Sequence, residues 1–272
     1  MKKLSLTSVW ELSRFTWKSQ RRTILGWTAA VFSILLLYMI LFPTVQDMAQ
    51  VKMQAMPKEL LQLMGMESFE DMGNYLSYFG IIYNLVLVII SVFGATFGAR
   101  VLLQEEKSKS IEFLNALAVS RQEIYWGKCL ACLGGVLLVS AAGIAAACGC
   151  GYLTGGETFI PQDFWKMVGI SCWIPLVFTA LSLALAGSSA RWGGGGTSGM
   201  VVAACYLLGY LSTLLGEKGE WLAYLSPFQA ISPAKALAGE QETVWILGIY
   251  LLLGLLFVLW GAVAYGRRDF RI

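Results

Sequence analysis

The chain contains no histidine, and charged residues make up only 14% of its 272 positions. Without histidine there is no Ser-His-Asp triad, no Cys-His nucleophile pair and no imidazole metal ligand. An ordinary soluble domain carries about 25% charged residues, so a water-solvated domain of this length is excluded as well. Cysteine is sparse. Cys129, Cys132, Cys148, Cys150, Cys172 and Cys205 all fall in apolar stretches. The Cys129-x-x-Cys132 spacing has no second pair and no histidine to complete a metal set, so these side chains read as small apolar residues. Gly193 to Gly196, followed by Thr197 and Ser198, lack the lysine of a Walker phosphate loop and read as a turn. No catalytic residue, bound cofactor or metal is expected, and the chain is not read as an enzyme. A net charge of +3 says little about partners by itself, and no nucleic acid is expected.

What is present is apolar sequence in long blocks, with 57% hydrophobic residues overall. A bilayer core about 30 Å thick needs about 20 apolar residues per helix. Six segments meet or approach that length: Ile24 to Phe42, Phe79 to Leu103, Cys129 to Leu153, Met167 to Ala190, Gly199 to Leu215, and Val244 to Tyr265. They predict an all-α integral membrane protein, a single six-helix transmembrane domain over 1–272. The first block starts too late and runs too long for a cleavable signal, so it is read as span one.

Six spans put both termini on one side. That side, with the second and fourth loops, holds 15 of the 20 basic residues, and the other side holds 5. Lys and Arg bias sets topology, so the N- and C-termini are expected in the cytoplasm. Residues 1–23 carry Glu11, Arg14, Lys18, Arg21 and Arg22 on one helical face and Leu6, Val9, Trp10, Leu12 and Trp17 on the other. They predict an amphipathic interfacial helix that lies in the headgroup layer before the chain turns into the membrane.

Two outer loops are expected, 43–78 and 216–243. The first holds an amphipathic run from Pro57 to Met66. It also holds Met48, Met53, Met56, Met64, Met66 and Met72, six of the ten methionines. Thioethers bind Cu(I) or make an adaptable apolar surface. The second contains Ser226-Pro227 and Ser232-Pro233, with Gly239 beyond. Ser as N-cap, Pro at N1 and Gly at C′ predict two short helices there.

Within the spans, ionisable residues are essentially missing. Proton-driven pumps place carboxylates or histidines at such depths, so an energy supply from another subunit is expected. Asn84 and Tyr83 are the polar candidates for lining a path. Gly94 and Gly98 form a GxxxG in span two, which suits close packing within the chain or a dimer interface.

The loop after span two carries the most functional information. Over 104–120, Ile111, Leu114, Leu117 and Ala118 form an apolar stripe, and Glu105, Lys109 and Glu112 a charged one, with Glu105 and Lys109 spaced to pair. Ser120 and Glu123 form a capping box that starts a new helix at Arg121. An amphipathic cytoplasmic helix of this kind needs a groove on a partner or on the membrane surface.

This loop resembles that of the type-2 ABC transporter permease family, whose pattern is an acidic pair, Gly-Thr-x-Glu, leucines, Pro-Val-Ser-Arg and a lysine opening span three. Glu105, Glu106, Glu112, Leu114, Val119, Ser120, Arg121 and Lys128 match it. Lys109, Ser110 and Ala118 depart from it. PKELLQLMGMESFEDMGNYLSYF, LSPFQAISPAKAL and the ending GRRDFRI are also similar to family segments, so the resemblance covers nearly the whole chain. It implies an ABC-2 type exporter subunit in the bacterial cell membrane, paired with a second permease subunit as homo- or heterodimer. It also implies a separate cytoplasmic ATPase that holds ATP and Mg. The coupling residues would be Glu105, Glu106, Lys109, Glu112, Leu114, Leu117, Ser120 and Arg121. A non-transporting scaffold or sensor, or a secondary transporter, are the alternatives. The substrate is not legible.

Overall fold

In the computed structural model, described for residues 5–52, 73–107, 119–189, 195–239 and 241–268, the chain is a bundle of helices. α1 runs Leu6–Ile40, α2 Phe42–Lys52, α3 Tyr75–Lys107 and α4 Arg121–Thr154. α5 (Pro161–Ser171) and α6 (Ile174–Ser188) follow, then α7 (Gly195–Leu215). The short helices α8 (Glu220–Ala223), α9 (Pro227–Ala230) and α10 (Pro233–Ala238) lead into α11 (Gln241–Arg267). Among the described residues there is no strand. Six stretches are long and apolar enough to cross a membrane. They are α1 with the start of α2, α3, α4, α5 with α6, α7, and α11.

The first correction concerns the N-terminus. The predicted interfacial helix and span one are one helix of 35 residues, with no turn between them. Its buried residues show why. Val9, Thr16, Ile24, Val31, Leu35 and Met39 form a single stripe down its length, and this stripe packs along α4. No proline interrupts it, and Gly26 is the one weak helix former near the expected turn. Part of the face assigned to the headgroups, Val9, Leu12 and Trp17, therefore meets protein. Gly127 on α4 makes room for it: a Cβ there would sit 2.7 Å from Leu12 Cβ and 3.0 Å from Val9 O.

The second correction concerns span four. It begins at Pro161, six residues before the predicted start, and is interrupted at Cys172 and Trp173. Pro175 lacks the amide that would continue the hydrogen-bond ladder, so the helix restarts at Ile174. The segment from 43 predicted as a loop is also partly helical from the start, since α2 follows α1 across Leu41. Met53 to Met72 and the Pro57 to Met66 run lie outside the described residues.

The punctuation predicted for 216–243 is present, except that Ser226 makes no side-chain cap bond. α9 begins at Pro227 after Ser226, and α10 at Pro233 after Ser232, whose Oγ accepts from Lys235 N at 3.3 Å. Gly239 closes α10 with φ +75°, a left-handed conformation that disfavours any Cβ.

At one end an aromatic cluster closes the bundle. Phe42 meets Tyr75 edge-on at 5.1 Å, Tyr75 meets Phe159 at 5.4 Å, and Phe79 lies 4.8 Å from Phe164. Tyr75 Oη donates to Ala147 O at 2.5 Å. These contacts bring the start of α2 and the near ends of α3, α4 and α5 to one level. α3 and α4, at 33 and 34 residues, are each about 50 Å long. That length covers the hydrocarbon core and the headgroup layers together.

Candidate functional site

The opposite end of the bundle brings Glu105, Glu106, Arg121, Glu123, Lys128 and Arg268 together. α3 continues past its last apolar residues into Gln104, Glu105 and Glu106 because nothing in that sequence stops a helix. This extra turn aims both carboxylates at neighbouring helices. Glu105 forms an ion pair with Lys128 of α4, whose ammonium also donates to Val101 O at 2.8 Å. Glu106 accepts from Arg268 at 2.6 and 2.8 Å. Arg268 lies just beyond the end of α11. Its other terminal nitrogen donates at 2.8 Å to Ala186 O in the last turn of α6. That carbonyl has no partner within its own helix, and a cation at a helix C-terminus also meets a favourable dipole.

Arg121, the first residue of α4, donates to Arg268 O at 2.8 Å and so caps α11. Two more bonds tie α4 to α11: Gln122 Nε2 donates to Ala262 O at 2.8 Å and Tyr125 Oη to Val258 O at 3.0 Å. The capping box predicted at the start of α4 is present. Ser120 Oγ accepts from Glu123 N at 3.2 Å, and Glu123 Oε2 accepts from Ser120 N at 2.7 Å. The second carboxylate oxygen of Glu123 accepts from Ser5 N at 2.8 Å, which fixes the start of α1 beside it. Gln20 Nε2 of α1 donates to Gln104 Oε1 at 2.9 Å.

The ion-paired side chains are shielded from water, with 6% exposure for Lys128 and 9% for Arg268. Removing one member of a buried pair leaves an uncompensated charge, at a cost of roughly 3–5 kcal/mol when burial is complete. The result is a layer of directional bonds joining α1, α3, α4, α6 and α11 at one level. It can hold helix ends in register and pass a displacement from one to the next.

The helices beneath pack closely. A Cβ on Gly94 would overlap Thr179 Oγ1, and one on Gly98 would lie 3.4 Å from Leu183, so the predicted GxxxG faces α6 within the chain. Ser182 Oγ of α6 donates to Ala95 O. A Cβ on Gly187 would come 2.8 Å from Gly261 O, bringing α6 and α11 backbone to backbone.

Residues 13–266 match a family model described as the C-terminal domain of the multidrug efflux system permease Rv1217c. The chain belongs to this family. No curated protein matches it. Together with the six apolar helices, membership identifies a multi-pass membrane permease domain.

Within this permease domain the predicted site residues divide into three groups. Glu105, Glu106, Ser120 and Arg121 are brought together in the charged layer, bonded to the domain's own helices. Lys109, Glu112, Leu114 and Leu117 lie outside the described residues. Asn84 and Tyr83 sit on α3 in the half of the bundle nearer the aromatic cluster. Tyr83 is fully buried and stacked 4.9 Å from Phe79. Its hydroxyl and Asn84 Oδ1 have no hydrogen-bond partner among the described residues.

Lys128 and Arg268 were not singled out from the sequence as partners of the two glutamates. A signal existed. Each is a basic residue at the edge of an apolar span, and an acidic pair stands at the edge of another. Only the fold shows which edges meet.

Proposed function

We propose that this permease domain is the membrane subunit of an ATP-driven, type-2 ABC exporter, forming the path and coupling through 104–120 to a separate ATPase. One observation carries the reading. The helix ends flanking 108–118 are both anchored in the charged layer, through Glu105 and Glu106 on one side and Ser120, Arg121 and Glu123 on the other. A push on that segment would reach α1, α3, α4, α6 and α11 through named bonds. The efflux-permease match supports export. The scarcity of ionisable residues within the spans favours an energy source on another subunit.

In this reading ATP and Mg are held by the partner. Two permease subunits, identical or homologous, form the path in a bacterial cell membrane, with all termini cytoplasmic. Leu114 and Leu117 supply the apolar core of the contact with the ATPase, and Lys109 and Glu112 its rim. Aliphatic interface anchors lose roughly 1–3 kcal/mol each on truncation. The double variant Leu114→Ala, Leu117→Ala tests the reading. It is expected to insert normally and then either release the ATPase on co-purification or hydrolyse ATP without transport. Unchanged association with fully coupled transport would reject it.

A further inference from the structure

The exposed face of α1 has no role in the coupling layer. The apolar stripe of this helix is occupied by α4, as Val9, Leu12 and Ile24 show. What remains outward over the first half is basic. Arg14, Lys18, Arg21 and Arg22 are all exposed, and none has an ion-pair partner among the described residues. Glu11 is the one acidic residue on this face. Trp10 and Phe15 flank it, 67% and 70% exposed.

The height of this face follows from the bonds on the buried side. Gln20 meets Gln104, and Ser5 meets Glu123, so the four basic residues lie level with the charged ends of α3 and α4. Counting inward from Ile40, a hydrocarbon core of about 30 Å ends near Arg21 at 1.5 Å per residue. Arg14 to Arg22 therefore lie across the adjoining headgroup layer, where amphipathic rings such as tryptophan are also favoured.

We propose that this outward face of α1, with Arg14, Lys18, Arg21 and Arg22 between Trp10 and Phe15, binds the phosphate headgroups of anionic membrane lipids. Guanidinium groups bind phosphate oxygens in bidentate fashion. The rings fill the boundary between headgroup and acyl chain. Because α1 is packed on α4, lipid held here would bear on the same helix that starts at the capping box. The proposal does not depend on what energises the permease.

The test places the whole protein in phosphatidylcholine nanodiscs containing increasing phosphatidylglycerol. Bound phosphatidylglycerol is counted by native mass spectrometry, and the melting temperature is followed in parallel. Wild type is expected to enrich phosphatidylglycerol and to lose that enrichment in high salt. Neutralising Arg14→Gln, Lys18→Gln, Arg21→Gln and Arg22→Gln together is expected to abolish it, at about fivefold in affinity per residue. The melting temperature in pure phosphatidylcholine should not change. Arg14→Lys with Arg21→Lys and Arg22→Lys is expected to retain most of it. If the quadruple variant melts early in pure phosphatidylcholine, the pairs Arg14→Gln, Lys18→Gln and Arg21→Gln, Arg22→Gln are compared instead, each expected to lose part of the enrichment. Undiminished enrichment in folded variants overturns the proposal. So does loss of a co-purifying protein while phosphatidylglycerol is retained, which would mark the face as a protein contact.

Discussion

Arg268 is the residue on which most of the charged layer converges, since it binds Glu106 and Ala186 O through its side chain and Arg121 through its carbonyl. Replacing Glu106 with Gln removes the charge but keeps the shape. The side chains are 18% and 9% exposed, so water screens part of the loss, and a destabilisation of roughly 1–3 kcal/mol is expected. A lowered melting temperature in detergent would show it, and the exchange Glu106→Arg with Arg268→Glu should recover part of it. No change in melting would mean that the pair contributes nothing. Gly127 offers a second test at this scale. Valine there meets Leu12 and Val9 O, and overpacking should cost about 1–3 kcal/mol. Gly149, on the same helix, has nothing within 4 Å of a built Cβ, so Gly149→Val should be close to neutral. Equal melting of the two variants would contradict the packing of α1 on α4. Neither site could be ranked from sequence. Both are glycines in apolar runs, and only the third dimension distinguishes a crowded face from an open one.

At the scale of elements, local chemistry was legible and long-range chemistry was not. Ser120 with Glu123, Ser232 with Pro233, and Gly239 each act through atoms within a few residues, and each is found as expected. Ser120→Ala should cost about 1 kcal/mol by removing an N-cap, and it should also loosen Ser5 by freeing Glu123. Amide exchange at the first turn of α4 would report it, and unchanged protection there would deny the cap any role. The continuity of α1 was missed for a physical reason. The polar face of residues 1–23 looked like a surface helix, but a stripe that continues into span one and packs on α4 outweighs that periodicity. The break in span four at Cys172 and Trp173 was likewise hidden inside an apolar run, with Pro175 the one cue.

For the whole molecule, six apolar helices could be counted from composition because lipid imposes the same length on every span. Their arrangement could not, because the glycine contacts and ion pairs that fix it join residues up to 162 positions apart. Reporter fusions at both ends are expected to be active only in the cytoplasm, as the basic residues on that side imply. The most direct measurement concerns how the permease is driven. Inside-out vesicles carrying the wild-type chain, or the Leu114→Ala, Leu117→Ala variant, are loaded with an amphipathic fluorescent dye under ATP or under an imposed pH gradient. The expected result is dye accumulation that requires ATP, survives an uncoupler and is lost in the variant. Accumulation driven by the pH gradient without ATP, and equal in the two proteins, would contradict an ATPase-coupled exporter.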